Sequence, residues 1–264
     1  MAVLYRRIAT DLRTKIHSGE LAAGDRLPPE TQLIRQYGVS RNTVRQATAL
    51  LVNEGLVSHV PGRAGGMVVR DRVTLTYHAS RAELDIAEHR ESDAWFSEVK
   101  AQGYEPSQEF ELRIEALSDE NSERLGVEPD TAAALRRCIR YVNGQPSSVQ
   151  DTFYPMDLCH QVPELLSPRD IPGGTTRLLA DRGFTQPAVE DEIVAAMPSP
   201  EHVVLLNLPA GTPVLHYVRT GFSRTRPVRV SVNVFAGDRN RVMYTLGDPA
   251  VIARFRSRQE QEDG

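Results

Sequence analysis

The stretch from Gly24 to Glu54 constrains this chain more than any other. Gly24-Asp25-Arg26-Leu27-Pro28-Pro29 reads as a turn, and Pro29 suits a helix start, where its missing N–H needs no partner. Glu30 to Tyr37 then reads as a short helix with Leu33 and Ile34 inward. Gly38 ends it, because glycine takes the left-handed cap conformation without steric cost. Ser40 is a good N-cap for a following helix from Arg41 to about Glu54, with Val44, Ala47, Leu50 and Leu51 toward a core. The pattern predicts two short helices joined by a tight turn, the second opening on Arg41, Asn42, Thr43, Arg45 and Gln46.

Flanking elements complete the unit. Tyr5, Ile8, Ala9, Leu12 and Ile16 form one apolar stripe on a preceding helix capped at Gly19. After Gly55, residues 56–60 and 67–69 read as two strands around Pro61-Gly62-Arg63-Ala64-Gly65-Gly66. Arginine bonds guanine bidentately, and Asn or Gln does the same to adenine, so the exposed side chains at the start of this helix suit a DNA major groove. The small Ala49 on the same stripe would let the backbone approach. A glycine-rich hairpin tip carrying Arg63 suits a phosphate or minor-groove contact. This reading requires Arg41 and Arg45 to face solvent rather than lie buried or be held in internal ion pairs.

Charge agrees. Residues 1–72 hold eleven Lys/Arg against six Asp/Glu, a balance of +5, while the remainder holds twenty against twenty-nine, or −9. A basic first module on an acidic remainder fits nucleic-acid binding by the first part only. Apolar runs are too short for a membrane span and no charged-then-apolar leader opens the chain, so a soluble cytoplasmic protein is expected. Two cysteines, Cys138 and Cys159, suit a reducing compartment.

Residues 73–93 read as a linker, 94–250 as a second domain and 251–264 as a charged tail. In the second domain Phe110, Leu112 and Ile114 alternate as a strand, Ser118 caps a short helix ending at Leu125-Gly126, and Asn143-Gly144 turns Ala134–Val142 back into Ser148–Phe153. A shift of 81 residues aligns Ser118 with Ser199, Leu125 with Leu206, Val127 with Leu208, Thr131 with Thr212, Pro146 with Pro227 and Val149 with Val230. Two helix-plus-hairpin units would fuse into one antiparallel sheet, with helices on one side and a pocket at their junction.

Residues 5–69 resemble the winged helix-turn-helix domain of the GntR family through Gly24-Asp25-Arg26-Leu27-Pro28, Tyr37-Gly38-Val39-Ser40-Arg41, Thr43-Val44-Arg45 and Glu54-Gly55-Leu56-Val57. The resemblance implies operator contacts by Arg41, Thr43, Arg45, Gly65 and Gly66. The family usually has Ser where Pro29 stands, so a capping hydroxyl that can meet a phosphate is absent. Roughly residues 78–248 resemble the UTRA effector-binding domain, which shares its fold with chorismate lyase and marks the HutC subfamily. That resemblance rests on Gln102-Gly103-Tyr104-Glu105-Pro106, Gly144-Gln145-Pro146, Gly211-Thr212-Pro213 and Gly237-Asp238-Arg239. The implied fold class is α+β, a winged helix-turn-helix joined to an antiparallel sheet with helices.

In amino-sugar-phosphate members the ligand set is Arg-x-Arg and two glutamates; the matching positions here are Cys138, Arg140, Gln150 and Arg229. A phosphorylated sugar is therefore not carried over. Arg140 and Gln150 are candidates for polar ligand contact. Arg229 with Arg219 would favour an anionic effector, and Trp95 either lines the pocket or packs in a core. Implied partners are double-stranded operator DNA and a second copy of the chain. No cofactor is expected: Cys159-His160 has the wrong spacing for a metal, and Lys100 is the only lysine outside the first module, too little for a pyridoxal-phosphate domain. A constitutive repressor with a vestigial pocket, or a small-molecule lyase, remain alternatives to a ligand-responsive regulator.

Overall fold

The computed structural model of the chain describes residues 2–60, 66–70, 74–80, 94–209, 211–247 and 250–252. Its first unit is three helices and a hairpin: α1 (Ala2–His17), α2 (Glu30–Tyr37), α3 (Arg41–Asn53), β1 (Val57–Val60) and β2 (Gly66–Val69). Local chemistry sets the boundaries. Gly38 stops α2 at φ 63°, and the Ser40 hydroxyl accepts the Thr43 N–H at 3.2 Å to start α3. Pro29 occupies the α2 N-cap and supplies no side-chain cap, as its chemistry dictates. Ile8 and Leu12 of α1, Leu33 of α2, Val44 and Leu51 of α3, and Val57 and Val69 of the hairpin close one buried core. Arg13 ties α1 to the end of α3 with two bonds to the Glu54 carboxylate, at 2.6 and 2.9 Å. The turn before α2 adds a third edge to the hairpin, Leu27 N–H donating to Met67 O and Val69 N–H to Asp25 O, both at 2.8 Å.

The second unit is a six-stranded antiparallel sheet in the order β4-β5-β6-β9-β8-β7. Its strands are β4 (Pro106–Ala116), β5 (Ala132–Val142), β6 (Gln145–Pro155), β7 (Ala188–Ala196), β8 (Val214–Phe222) and β9 (Pro227–Ala236). Asn143 and Gly144, at φ 50° and 73°, make the β5–β6 turn that the Asn-Gly pair predicts. The 81-residue repeat is a structural one. It carries β4, the helix α5 (Asp119–Leu125), β5 and β6 onto β7, the helix α8 (Pro200–Leu205), β8 and β9 in that order. Ser118 and Ser199 cap the two helices in the same way, each hydroxyl accepting an N–H three residues on. The same shift carries Asp151 onto Val232, and these two are register partners across the β6–β9 seam. A pseudo-twofold axis therefore passes between them.

The two faces of the sheet differ. One is apolar: α5 packs over Leu135, Phe153 and Val230, and Leu206, just past α8, over Val149 and Val234, so the repeat helices do lie on one side. The other face is covered by α4 (Ala94–Ala101), α6 (Met156–Gln161), a 3-10 turn (Pro163–Leu166) and α7 (Gly174–Asp181). Four residues of the stretch expected as linker form a strand, β3 (Leu75–His78), which pairs in parallel with β10 (Asn240–Met243). Alternation is too short there to be seen in the sequence. Just before it, Arg70 at the end of the hairpin ion-pairs with Asp238 in the β9–β10 turn, joining the two units. No helix among the described residues is long and apolar enough to cross a membrane.

Beside the pseudo-twofold axis, Arg137 makes two 2.7 Å bonds to Asp151 and a third contact to Glu201 of α8, with the guanidinium side chain only 8% exposed. Removing one partner strands a buried charge. Asp151→Ala should destabilise the fold by about 3 kcal/mol, the low end because Glu201 remains, read as a lowered midpoint in chemical denaturation.

Candidate functional site

The first surface is the opening of α3. Arg41, Asn42, Arg45, Gln46 and Ala49 are exposed along one side, and Thr43 is half-buried beside the cap, its hydroxyl 2.9 Å from that of Ser40. The opposite side carries the buried Val44, Ala47, Thr48 and Leu51, so packing orients the polar stripe outward. The guanidinium side chains of Arg41 and Arg45 are 62% and 64% exposed. Both nevertheless reach the Glu30 carboxylate at the start of α2, Arg45 Nε at 3.0 Å and Arg41 Nε at 3.7 Å. The expectation that they be clear of internal ion pairs is thus only half met. Pairs this exposed add little stability. Gly66 pairs with Val60 at the described end of the hairpin. Arg63 and Gly65 lie outside the described residues.

The second site is a cavity of about 320 Å³ on the covered face of the sheet. Its floor follows from strand register. One row of partners runs Leu112–Arg136–Thr152–Ser231–Arg219–Asp191 across all six strands; the next runs Phe110–Cys138–Gln150–Asn233–Tyr217–Ile193. The pseudo-twofold exchanges the four central positions of one row with those of the other. Its centre is a polar quartet, in which Gln150 Nε2 donates to Thr152 Oγ1 at 3.1 Å and Thr152 meets Ser231 at 3.1 Å.

All five effector candidates line this one cavity: Trp95, Arg140, Gln150, Arg219 and Arg229. Trp95 proves to be both core and wall. It is 4% exposed, packs with Leu75, Val99 and Val142, and carries the Arg140 guanidinium 5.1 Å above its ring. The arginines divide by partner. Arg219 is bound bidentately by Asp191, at 2.7 Å twice, and donates to Ala79 O. Burial opposes its charge, but the carboxylate outweighs burial and holds the guanidinium above its ordinary range. In turn Arg219 overcomes the burial of Asp191 and holds that carboxyl below the usual range. The Arg219 charge is already neutralised, which corrects its expected part in drawing an anion.

Arg229 differs. Its Nε donates to Gln186 Oε1 at 2.8 Å and its Nη1 to Ser231 Oγ at 3.0 Å, both neutral acceptors, and it is buried. A Cβ at Gly221 would collide with the Gln186 amide, so that glycine makes the contact possible. Sequence reasoning missed Arg136. It is buried on the same strand face as Cys138 and Arg140, and its Nη atoms donate to the carbonyls of Leu165, Ser167 and Arg169. Burial pulls its pKa down. The alternation Arg136, Cys138, Arg140 was the available signal. Tyr154 and Thr175 were missed as well. Burial raises the Tyr154 phenol, opposed by the charges of Arg229 and Arg136, and all three residues line the cavity.

Comparison with known proteins assigns a family to each unit. The model of "Bacterial regulatory proteins, gntR family" matches residues 4–66, and that of the UTRA domain matches residues 101–241. The chain is 32% identical over 238 residues to the HTH-type transcriptional regulator RB1450 of Rhizobium meliloti (strain 1021), spanning 89% of this chain and 92% of that one. It is 30% identical over 223 residues to MngR of Escherichia coli (strain K12), the mannosyl-D-glycerate transport/metabolism system repressor, spanning 83% and 85%. The crystal structure of a GntR-family transcriptional regulator superposes with a TM-score of 0.58 at 27% identity, over 93% of this chain and 98% of that chain. The chain therefore belongs to the GntR family of bacterial transcriptional regulators, with a UTRA domain as its second unit.

Proposed function

We propose that the chain is a repressor of the HutC type, acting in the cytoplasm as a homodimer on a palindromic operator and released when a small anionic molecule enters the cavity. The observation that carries the anionic reading is the charge balance of the cavity wall. Arg136, Arg140 and Arg229 line it, beside Arg219, which Asp191 neutralises, and Arg177, which pairs with Asp181; the carboxylates of the wall are Glu98 and Asp170. Arg136 and Arg229 are buried cations whose hydrogen bonds go to neutral acceptors, and a buried charge is costly until an opposite charge joins it. An arriving carboxylate or phosphate would supply that charge.

The route to DNA runs through β3. Tyr77 and His78 of this strand line the cavity, and Gln102 of the segment after α4 clamps Thr76 through both backbone groups, at 2.9 and 3.0 Å. The same strand lies next to the Arg70–Asp238 ion pair that holds the DNA-binding unit. A ligand that favours one position of β3 would bias the orientation of the recognition helix. Two copies are needed to read a palindrome. The exposed apolar side chains Val194 on edge strand β7, Met197, and Val203 and Val204 on α8 form the surface assigned to the second copy.

Arg45→Ala should weaken binding to the operator by about 1–3 kcal/mol and relax preference at one base position, measured by gel shift against single-base variants; unchanged affinity would remove α3 from the interface. A thermal-shift panel of phosphorylated, carboxylated and neutral metabolites should stabilise the wild type only with anionic members, by about 2.7 kcal/mol at a hundredfold excess over Kd. Arg229→Ala and Arg140→Ala should lose that shift and the accompanying release of DNA while still binding operator. Stabilisation by neutral compounds alone would refute the anionic reading. Val204→Asp should shift sedimentation from dimer to monomer; a dimer of undiminished stability would place the interface elsewhere.

A further inference from the structure

Glu30 lies between the two arginines that open α3. Its carboxylate sits where α2 begins, 41% exposed, and offers one oxygen to each base-facing arginine: Oε1 to Arg45 Nε at 3.0 Å and Oε2 toward Arg41 Nε at 3.7 Å. Both arginines are approached through Nε. A guanidinium has two edges able to make paired bonds, one using Nε and one Nη, the other using both Nη groups. An acceptor on Nε removes the first edge and leaves the outer fork for a base.

We propose that Glu30 is a positioning residue for base recognition, selecting the outer Nη edge of Arg45, and more weakly of Arg41, for bidentate bonding to a guanine edge. The pairs are too exposed to add much stability, so their effect lies in geometry. A long side chain held in one direction loses less freedom when it binds, which raises affinity for the matching base. The negative charge also stands beside a surface that approaches phosphates, so it disfavours contacts that lack the compensating base pair. Pro29 sharpens the case: it gives the α2 N-terminus no side-chain cap, and Glu30 is the acidic side chain of that first turn, where the helix dipole favours it.

This inference rests on α3 reading DNA, and the experiment separates the two. The full-length protein and its Glu30→Ala and Glu30→Gln variants are titrated against a genomic fragment the wild type retains, against single-base changes in each half-site, and against unrelated duplex. Failure of the wild type to prefer its fragment would overturn the DNA reading itself. If Glu30 positions the fork, Glu30→Ala reduces the ratio of matched to mismatched affinity about 5- to 10-fold at one position, with binding to unrelated duplex equal or tighter. Glu30→Gln, which keeps an oxygen acceptor for Arg45 Nε, recovers part of that ratio. In an Arg45→Ala background the Glu30→Ala change has no further effect on discrimination at that position. The proposal fails if Glu30→Ala keeps the wild-type base preference. It fails equally if matched and unrelated DNA weaken in parallel, the outcome of a loosened α2.

Discussion

The pairing of β6 with β9 is the interaction on which the rest of the structure depends. It fuses the two copies of the repeat, and its register centres the pseudo-twofold on Asp151 and Val232. That register places Gln150, Thr152, Ser231 and Asn233 together on the cavity floor, and Val149, Phe153, Val230 and Val234 beneath the repeat helices. A slip of one residue would turn every side chain of a strand to the opposite face. Hydroxyls and amides would then enter the apolar layer, and valines would floor the cavity. The apolar layer thus fixes the chemistry of the binding site from the far side of the sheet.

Pseudo-symmetry built the cavity, and departures from it supply its chemistry. The axis relates Arg136 to Tyr217, Cys138 to Arg219 and Ser148 to Arg229, so no arginine faces a symmetric arginine. Their partners set them apart further. Arg219 is neutralised by Asp191 and serves the fold, closing the edge of the sheet and reaching the Ala79 carbonyl. Arg229 and Arg136 donate to amide, hydroxyl and carbonyl acceptors instead. Residues of the same type on the same wall therefore do different work, and only their neighbours reveal which.

The two units meet at one corner, built by β3 and the β9–β10 turn. β3 is reached directly from the DNA-binding unit, forms part of the cavity wall and is held by β10 on one side and Gln102 on the other. Arg239 anchors the same corner by donating to the carbonyls of Pro146 and, at 3.5 Å, Leu206. The β9–β10 turn thus touches the hairpin of the first repeat, the helix end of the second and, through Asp238, the winged unit.

The sequence by itself determined the DNA-binding unit almost completely, because its signals are local. Gly38, Ser40 and the spacing of Val44, Ala47 and Leu51 act within a few residues, and they dictated both the helix ends and the outward stripe that begins at Arg41. The Asn143-Gly144 turn was legible for the same reason, and the 81-residue repeat because each copy carries the same short signals. Tertiary structure alone decided which arginines carry a usable charge, that Trp95 serves core and cavity at once, that residues 75–78 pair with β10, and that Glu30 meets Arg41 and Arg45. Each of these joins residues far apart in the chain, from eleven positions for Glu30 and Arg41 to well over a hundred for β3 and β10. Burial, register and charge compensation across such separations arise only when the sheet closes, and no local pattern of residues encodes them.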